Sequence, residues 1–286
     1  MNDERPMKIT VTGASGFIGR HVLAELMCHQ IEVVAVTRNA TRSVDLGHIV
    51  RIVEYDIDRN DPDCFDKLGR PDILIHLAWD GLPNYKLLHH FEIELPRQYR
   101  FLKAMIEAGL DSLLVIGTCL EYGMRSGSLS EDMDTRPTNS YGYAKDALRK
   151  QLMFLKANFP FKLMWARLFY MYGEGQPQTA LYSQLKEAVS RKDRVFNMSG
   201  GEQLRDYLTV SEVARLIVEL AKRRFDTGVV NLCSGKPISV RNLVEGWLKE
   251  NSWEIELNLG YYPYPDYEPM AFWGDWRRLD AILGIL

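Results

Sequence analysis

Met7-Lys-Ile-Thr-Val-Thr12-Gly13-Ala-Ser15-Gly16-Phe17-Ile18-Gly19 is the stretch on which the fold of this chain turns. A short apolar run ends in three glycines spaced three apart and passes into a helical pattern. Ile18, Val22, Leu23 and Leu26 form the apolar face of that pattern. Ile9 and Val11 belong to a buried strand, and Gly13 lets the backbone turn sharply off its end. Gly16 has no Cβ, so a pyrophosphate can approach the start of the next helix, where free N–H groups and the positive helix end face it. Gly19 lets the helix pack close. The alternative is a plain strand-to-helix turn. The strand before and the amphipathic helix after supply the context a dinucleotide motif requires.

Composition bounds the class. At 286 residues the chain has ample length for a real core in one large domain or two closely joined ones. A hydrophobic share of 46% with 26% charged residues is that of a soluble globular protein. A net charge of −3 gives no support for nucleic-acid binding. No apolar run approaches the ~20 residues of a membrane span. The start, Met1-Asn-Asp-Glu-Arg-Pro, lacks the apolar centre of a signal peptide, so a cytoplasmic location is expected. Cys28, Cys64, Cys119 and Cys233 are scattered without Cys-x-x-Cys spacing and read as reduced thiols, with no metal site.

The first two-thirds of the chain alternates strand-like with helix-like stretches. Strands are expected at Ile9–Thr12, Val33–Val36, Val50–Val53, Ile73–Leu77, Leu113–Ile116 and Leu163–Leu168. Helices are expected about Arg20–Gln30, Leu87–Ala108 and Tyr141–Asn158. Continuous apolar strands separated by helices predict an α/β fold, a Rossmann-type doubly wound parallel sheet over residues 1–172. From Gly173 the rhythm changes. Helical segments about Tyr182–Ser190, Val210–Ala221 and Val240–Lys249 lie between Gly- and Pro-rich turns, and residues 173–286 read mainly as a smaller C-terminal substrate-binding lobe, with the chain crossing between lobes. The tail Tyr261-Tyr262-Pro-Tyr264-Pro-Asp-Tyr267 breaks regular structure and either covers the ligand or packs on the core.

Tyr141-Gly-Tyr143-Ala-Lys145 is the second chemical signal. Residues four apart on a helix share a face, so Tyr141 and Lys145 meet while Tyr143 points elsewhere. An ammonium beside a phenol stabilises phenolate and lowers its pKa from about 10 toward the working range. That yields a proton donor for ketone reduction, or an acceptor for alcohol oxidation. A solvent-facing Tyr–Lys pair is the bland alternative; downstream of a dinucleotide turn the chemical reading is preferred.

Together these motifs resemble an extended short-chain dehydrogenase/reductase of the branch that modifies nucleotide sugars, over nearly the whole chain. Ile116-Gly-Thr118-Cys-Leu-Glu121-Tyr122-Gly123 is similar to the family segment ending in Tyr-Gly, and the resemblance implies a catalytic set of Thr118, Tyr141 and Lys145. By itself Thr118 would read as a strand-end residue capping a turn. His76-Leu77-Ala78-Trp79 matches the segment lining the cofactor, and Asp56-Ile57 the pair beside the adenine. Gln203-Leu-Arg205-Asp206-Tyr207 resembles the motif whose arginine grips the sugar-nucleotide pyrophosphate, for which a guanidinium fork is well shaped. The resemblance thus implies cofactor contacts from Gly13, Ser15, Gly16, Phe17, Ile18, Gly19, Arg38, Asp56, Ile57, Leu77, Ala78, Trp79, Tyr141, Lys145 and Phe169. It implies substrate contacts from Thr118, Glu121, Tyr141, Tyr170 and Arg205. In this family the helices equivalent to Leu87–Ala108 and Tyr141–Asn158 pair across a two-fold axis, so a homodimer is expected.

Departures from the family narrow the reaction. Dehydratases follow the threonine with Asp-Glu to eliminate water; Cys119 and Leu120 stand here, which argues against dehydration. Members with a catalytic cysteine place it two residues before the Tyr-Gly tyrosine, where this chain has Leu120, so Cys119 reads as a wall residue. Tyr170 stands where many members carry a substrate-binding Asn. At the end of the second strand, Val36-Thr37-Arg38-Asn39 lacks the acid that holds the adenosine ribose of NAD, and Arg38, with Arg42, suits a 2′-phosphate. NADP(H) is favoured, with NAD(H) the alternative. The expected reaction is NADPH-dependent reduction of an NDP-4-keto-6-deoxyhexose; the alternative is an NAD-dependent nucleotide-sugar 4-epimerase.

Overall fold

Alternating apolar runs and amphipathic helices build, in chain order, β1 (Lys8–Thr12), α1 (Phe17–Leu26), β2 (Glu32–Thr37), β3 (Val50–Glu54), α2 (Cys64–Lys67), β4 (Ile73–His76), α3 (Leu95–Glu107), β5 (Ser112–Thr118), β6 (Gly127–Leu129), α4 (Ser140–Leu155) and β7 (Lys162–Leu168). Shorter elements follow: β8 (Tyr170–Tyr172), α5 (Leu181–Ser190), β9 (Val195–Asn197), β10 (Leu204–Thr209), α6 (Val210–Arg223), β11 (Gly228–Leu232), β12 (Pro237–Ser239), α7 (Val240–Asn251), β13 (Glu256–Asn258), β14 (Phe272–Gly274) and α8 (Arg277–Leu283). The structure is a computed structural model and describes residues 5–39, 50–59, 61–266 and 268–284; Arg42 and Tyr267 lie outside them.

Seven strands form one parallel sheet in the order β11-β7-β5-β4-β1-β2-β3. The chain winds outward from β1 through β2 to β3, then crosses back to β4 on the other side of β1. That reversal makes the carboxyl ends of β1 and β4 the switch point where such sheets bind ligands. Side chains at β1, β2, β4, β5 and β7 are buried on both faces, as a doubly covered parallel sheet requires. On one face Val22, Leu23 and Leu26 of α1 pack with Val213, Ile217 and Leu220 of α6. On the other, Phe101, Leu102 and Met105 of α3 pack with Leu148 and Leu152 of α4.

All six strands expected from the sequence are present. The helix expected over Leu87–Ala108 begins instead with a wide five-residue helical turn, His90–Glu94, before α3, whose first turn carries Pro96, a residue suited to helix starts. The sheet's last strand, β11, comes from beyond residue 173 and pairs along β7 from Gly228↔Met164 to Leu232↔Leu168. Shorter strands form three small sheets (β12-β10-β8, β13-β9 and β14-β6), of which β6 and β8 come from before residue 173. Tyr172, Tyr182 and Trp247 close their core, with ring centroids 4.9 and 5.0 Å from the indole.

Candidate active site

The glycine turn has the geometry its spacing predicts. Gly13 sits at φ +69°, and a Cβ there would lie 2.7 Å from the Ala78 backbone nitrogen, so β1 and the segment after β4 touch through its bare face. A Cβ on Gly19 would lie 2.3 Å from the Gly13 carbonyl oxygen, which seats α1 directly on the turn. At Gly16 a Cβ would meet only Gly13 O, at 3.1 Å, leaving its other side open. No side chain caps the start of α1, and its first turn holds no acidic residue. A helix start of this kind suits a diphosphate.

A cleft of about 200 Å³ opens over this turn. It is lined by Gly13, Ser15, Gly16, Arg38, Asp56, Ile57, Leu77, Ala78 and Trp79, all expected at the cofactor. Phe17, Ile18, Gly19 and Phe169 do not line it. Ile18 packs on the core below, and Phe17 stands edge-on to His21. Phe169 lies in an aromatic cluster with Tyr122 and Phe272. Arg38 reaches across to Asp80 (Nη1–Oδ2 3.2 Å), with both side chains exposed.

Under the cleft runs a buried polar chain that the sequence did not announce. Gln98 Nε2 donates to Glu94 Oε2 (2.8 Å), so Gln98 Oε1 accepts from His76 Nε2 (2.6 Å), and His76 Nδ1 accepts from Thr12 Oγ1 (2.8 Å). Burial lowers the His76 pKa to about 3, which keeps the imidazole neutral. Glu94 also pairs with Arg97 (2.7 Å) and accepts from Asp80 N (3.2 Å). Asp80, His89 and Glu94 come close together, but each carboxylate already faces an arginine. Glu94 and Gln98 stand four apart on one helix face, the only trace this network leaves in the sequence.

Tyr141 and Lys145 do share a face of α4, fixed at its start by Asn139, whose side chain accepts from Gly142 N (2.8 Å). Both are buried, at 7% and 2% exposure. Lys145 Nζ donates to Ile116 O (2.9 Å) and lies 3.9 Å from the Trp79 ring centroid, against 5.8 Å from that of Tyr141. Burial brings the Lys145 pKa down to about 7 and pushes the Tyr141 phenol up. The expected lowering of the phenol is therefore absent: burial outweighs an ammonium turned toward Ile116 and the indole.

Thr118 ends β5 and caps the turn Cys119–Tyr122, accepting from Leu120 N (3.3 Å). Its partner Glu121 is not at the substrate surface. Fully buried, Glu121 accepts from Thr118 N (2.8 Å), Trp165 Nε1 (2.9 Å) and Arg167 Nε (2.7 Å), a structural hub beneath the site. Three donors, one of them a paired guanidinium, explain why a carboxylate tolerates that position. Thr-x-x-Glu is a capping-box spacing, a signal that could have placed Glu121 correctly.

Arg205 and Tyr170 meet at the far end, in the C-terminal lobe. Arg205, 3% exposed, donates to Glu268 Oε2 (3.0 Å) and Leu204 O (2.8 Å), and its guanidinium lies 4.5 Å from the Phe272 ring centroid. Tyr170 hydrogen-bonds the other oxygen of Glu268 through its hydroxyl. Glu268, in the irregular tail, was not anticipated. Cys119 lies within electrostatic reach of Tyr141 on one side and of Glu268 and Arg205 on the other, and burial raises its thiol pKa, as befits a wall residue. Tyr261 and Tyr262 stand exposed against each other rather than on the core.

A switch-point cleft with a glycine turn, together with a buried Tyr–Lys pair packed against its Trp79 wall, defines an NAD(P)-dependent oxidoreductase. The chain belongs to the NAD dependent epimerase/dehydratase family, whose profile matches residues 9–233. Among similar proteins, dTDP-6-deoxy-L-talose 4-dehydrogenase (NAD(+)) of Aggregatibacter actinomycetemcomitans is 28% identical over 94% of this chain and 99% of its own. GDP-6-deoxy-D-talose 4-dehydrogenase of the same organism is 24% identical over 97% of this chain and 92% of its own. MoeE5, solved in complex with UDP-glucuronic acid and NAD, superposes with a TM-score of 0.81 at 27% identity, covering 97% of this chain and 92% of that one. The resemblance to extended short-chain dehydrogenases/reductases is thereby borne out. No helix among the described residues is long and apolar enough to cross a membrane.

Proposed function

We propose that this chain is an NADPH-dependent sugar-nucleotide 4-ketoreductase, reducing an NDP-4-keto-6-deoxyhexose to an NDP-6-deoxyhexose. The observation that carries the reading is the buried Tyr141–Lys145 pair beside Cys119 and Leu120, where an eliminating enzyme needs carboxylates. The similarity to two 6-deoxytalose 4-dehydrogenases, whose reaction run backward is a 4-keto reduction, supports it. When bound, the reduced nicotinamide supplies hydride for substrate C4. Tyr141 gives its phenolic proton to O4 as the carbonyl π pair becomes the alkoxide, and solvent returns that proton. Lys145 holds positive charge beside the developing phenolate, which offsets the effect of burial on the phenol. Thr118 orients the carbonyl.

Arg38, on the cleft wall with no acid at the end of β2, supports NADP(H), while one similar talose dehydrogenase is named for NAD(+) and another, from Kitasatospora kifunensis, for NAD(P)(+). Arg205 is the group suited to the sugar-nucleotide diphosphate. A cytoplasmic homodimer goes with this reading. Of the apolar residues in the two long segments, Phe101, Leu102, Leu148, Leu152 and Leu155 serve the core, but Leu87 and Leu88, in the loop before His90, and Phe154 of α4 stay exposed, Phe154 at 79%. Light scattering at micromolar concentration is expected to give twice the chain mass; a monomer mass would assign those residues to solvent.

The deciding experiment follows NADPH absorbance with several 4-keto-6-deoxy sugar nucleotides. Oxidation of NADPH in proportion to ketosugar is expected. The second reading, a 4-epimerase, is favoured by the similarity to a UDP-glucose 4-epimerase of Halalkalibacterium halodurans, 26% identical over 97% of this chain. No loss of NADPH, with interconversion of UDP-glucose and UDP-galactose on endogenous cofactor, would establish it instead.

A further inference from the structure

The cofactor cleft stops short of the catalytic pair. Its lining runs from Asp56 and Ile57, over Gly13 and Gly16, to Ala78 and Trp79, and includes neither Tyr141 nor Lys145. Both lie behind the Trp79 indole. Lys145 Nζ has three donor directions. One is spent on Ile116 O at 2.9 Å, and the face of the indole, 3.9 Å away at its centroid, covers the ammonium by a cation–π contact. The same ring stands edge-on to Tyr141 at 5.8 Å.

The indole is also latched. Its Nε1–H donates to His90 Nδ1 (3.1 Å), the two rings stacking at 6.4 Å and 29°. An indole nitrogen only donates, so His90 Nδ1 is the acceptor and Nε2 carries the proton, which it gives to Asn84 O (2.8 Å). Gly81 makes room for this arrangement. It adopts φ +85°, and a Cβ there would press on the His90 ring at 3.0 Å. Trp79 and its latch thus belong to one short loop, Trp79 to His90, hung between the end of β4 and α3.

We propose that Trp79 is a gate between the cofactor cleft and the catalytic pair: its indole, latched by His90, covers the Lys145 ammonium that the nicotinamide half of the cofactor must reach. The inference rests on the reading of Tyr141 and Lys145 as the catalytic pair. It makes cofactor entry a two-step event. The adenine half settles on the glycine turn and Asp56 first, and the nicotinamide half follows when Trp79 swings off Lys145 and gives up its bond to His90. A cation–π contact and one neutral hydrogen bond are weak enough for new hydrogen bonds to Lys145 to offset.

Stopped-flow binding to the full chain tests this, with NADPH and NADH as complete cofactors and ADP as the adenine half alone. With the wild type the observed rate is expected to level off as cofactor rises, the plateau being the opening rate, while ADP shows no plateau. Trp79→Ala should lift the plateau at least 10-fold and leave ADP binding within two-fold. Trp79→Phe, which keeps a ring but loses the N–H, and His90→Phe, which loses the acceptor, should each lift it; His90→Asn, which restores an acceptor, should bring it back. A wild-type rate that rises linearly with cofactor, or a Trp79→Ala protein that binds ADP and NADPH equally poorly, would overturn the gate and make Trp79 a fixed wall. Should Tyr141→Phe retain turnover while the plateau persists and Trp79→Ala still removes it, the catalytic reading alone falls and the gate stands.

Discussion

The two ends of the active site are built from different materials. At the cofactor end the surface is backbone: a glycine turn at φ +69°, an uncapped helix start and the carboxyl ends of β1 and β4, leaving an open cleft. At the end we propose for the sugar the candidate group is a side chain, Arg205, nearly buried and engaged by Glu268 and, through it, Tyr170. Backbone groups cost little to leave facing solvent in a cleft, so a backbone-built site stands preformed. An unpaired buried guanidinium is expensive, so a side-chain-built site supplies its own counter-ion when empty. On the proposed reading, binding is insertion at one end and exchange at the other.

The sharpest test of this contrast lies between the two ends. Tyr141→Phe should reduce turnover by about 10²-fold or more, the usual scale for general acid–base catalysis, while cofactor binding measured by fluorescence titration stays within two-fold. Loss of both together would mean that the phenol shapes the cleft. Next in size, Arg38→Ala should weaken NADPH by roughly 1.5–3 kcal/mol, the scale of hydrogen bonds to charged groups, and spare NADH. A wild type that prefers NADH would remove the argument from Arg38.

The cofactor end also has a pH signature. His76 binds its proton with a pKa near 6.5 when unfolded and about 3 when folded. Between those values the unfolded chain holds more protons, so stability rises with pH, and it is lost as pH falls from about 6.5 toward 3. The slope approaches about 1.4 kcal/mol per pH unit. Urea unfolding at pH 6.5, 5.5 and 4.5 should show His76→Asn losing less than wild type per unit; equal slopes would place the acid sensitivity elsewhere. The smallest effect belongs to the sugar end. Glu268→Gln weakens the counter-ion that a diphosphate must displace, and calorimetry with UDP or dTDP should show affinity rising about 5-fold, on the order of 1 kcal/mol. A fall in affinity would make Glu268 part of the binding surface and abolish the exchange.

What the sequence disclosed follows the same division. The glycine turn and six of the sheet strands were legible because backbone requirements leave compositional marks: missing Cβ atoms, apolar runs, spacing of three and four. β11 was not read as a sheet strand. Its Val229-Val230 run is broken by Asn231, which is buried only because Tyr122 and Leu129, over a hundred residues earlier, bind its amide. The family resemblance sets Glu121 at the substrate, and the capping-box spacing from Thr118 is the sequence's one mark against that; its inward turn is completed by Trp165 and Arg167. Glu268 left no mark at all. It lies in an irregular stretch, and only the folded lobe brings it to Arg205.

The pairing of β11 with β7 has a consequence for how the molecule comes into being. A ribosome that has delivered residues 1–172 has delivered a sheet whose outer rail, β7, carries Met164, Trp165 and Leu168 beside unmatched backbone groups. Residues 173–227 must follow before Gly228–Leu232 arrives to zip along it. The nascent chain therefore carries an unpaired sheet edge for the whole of that interval.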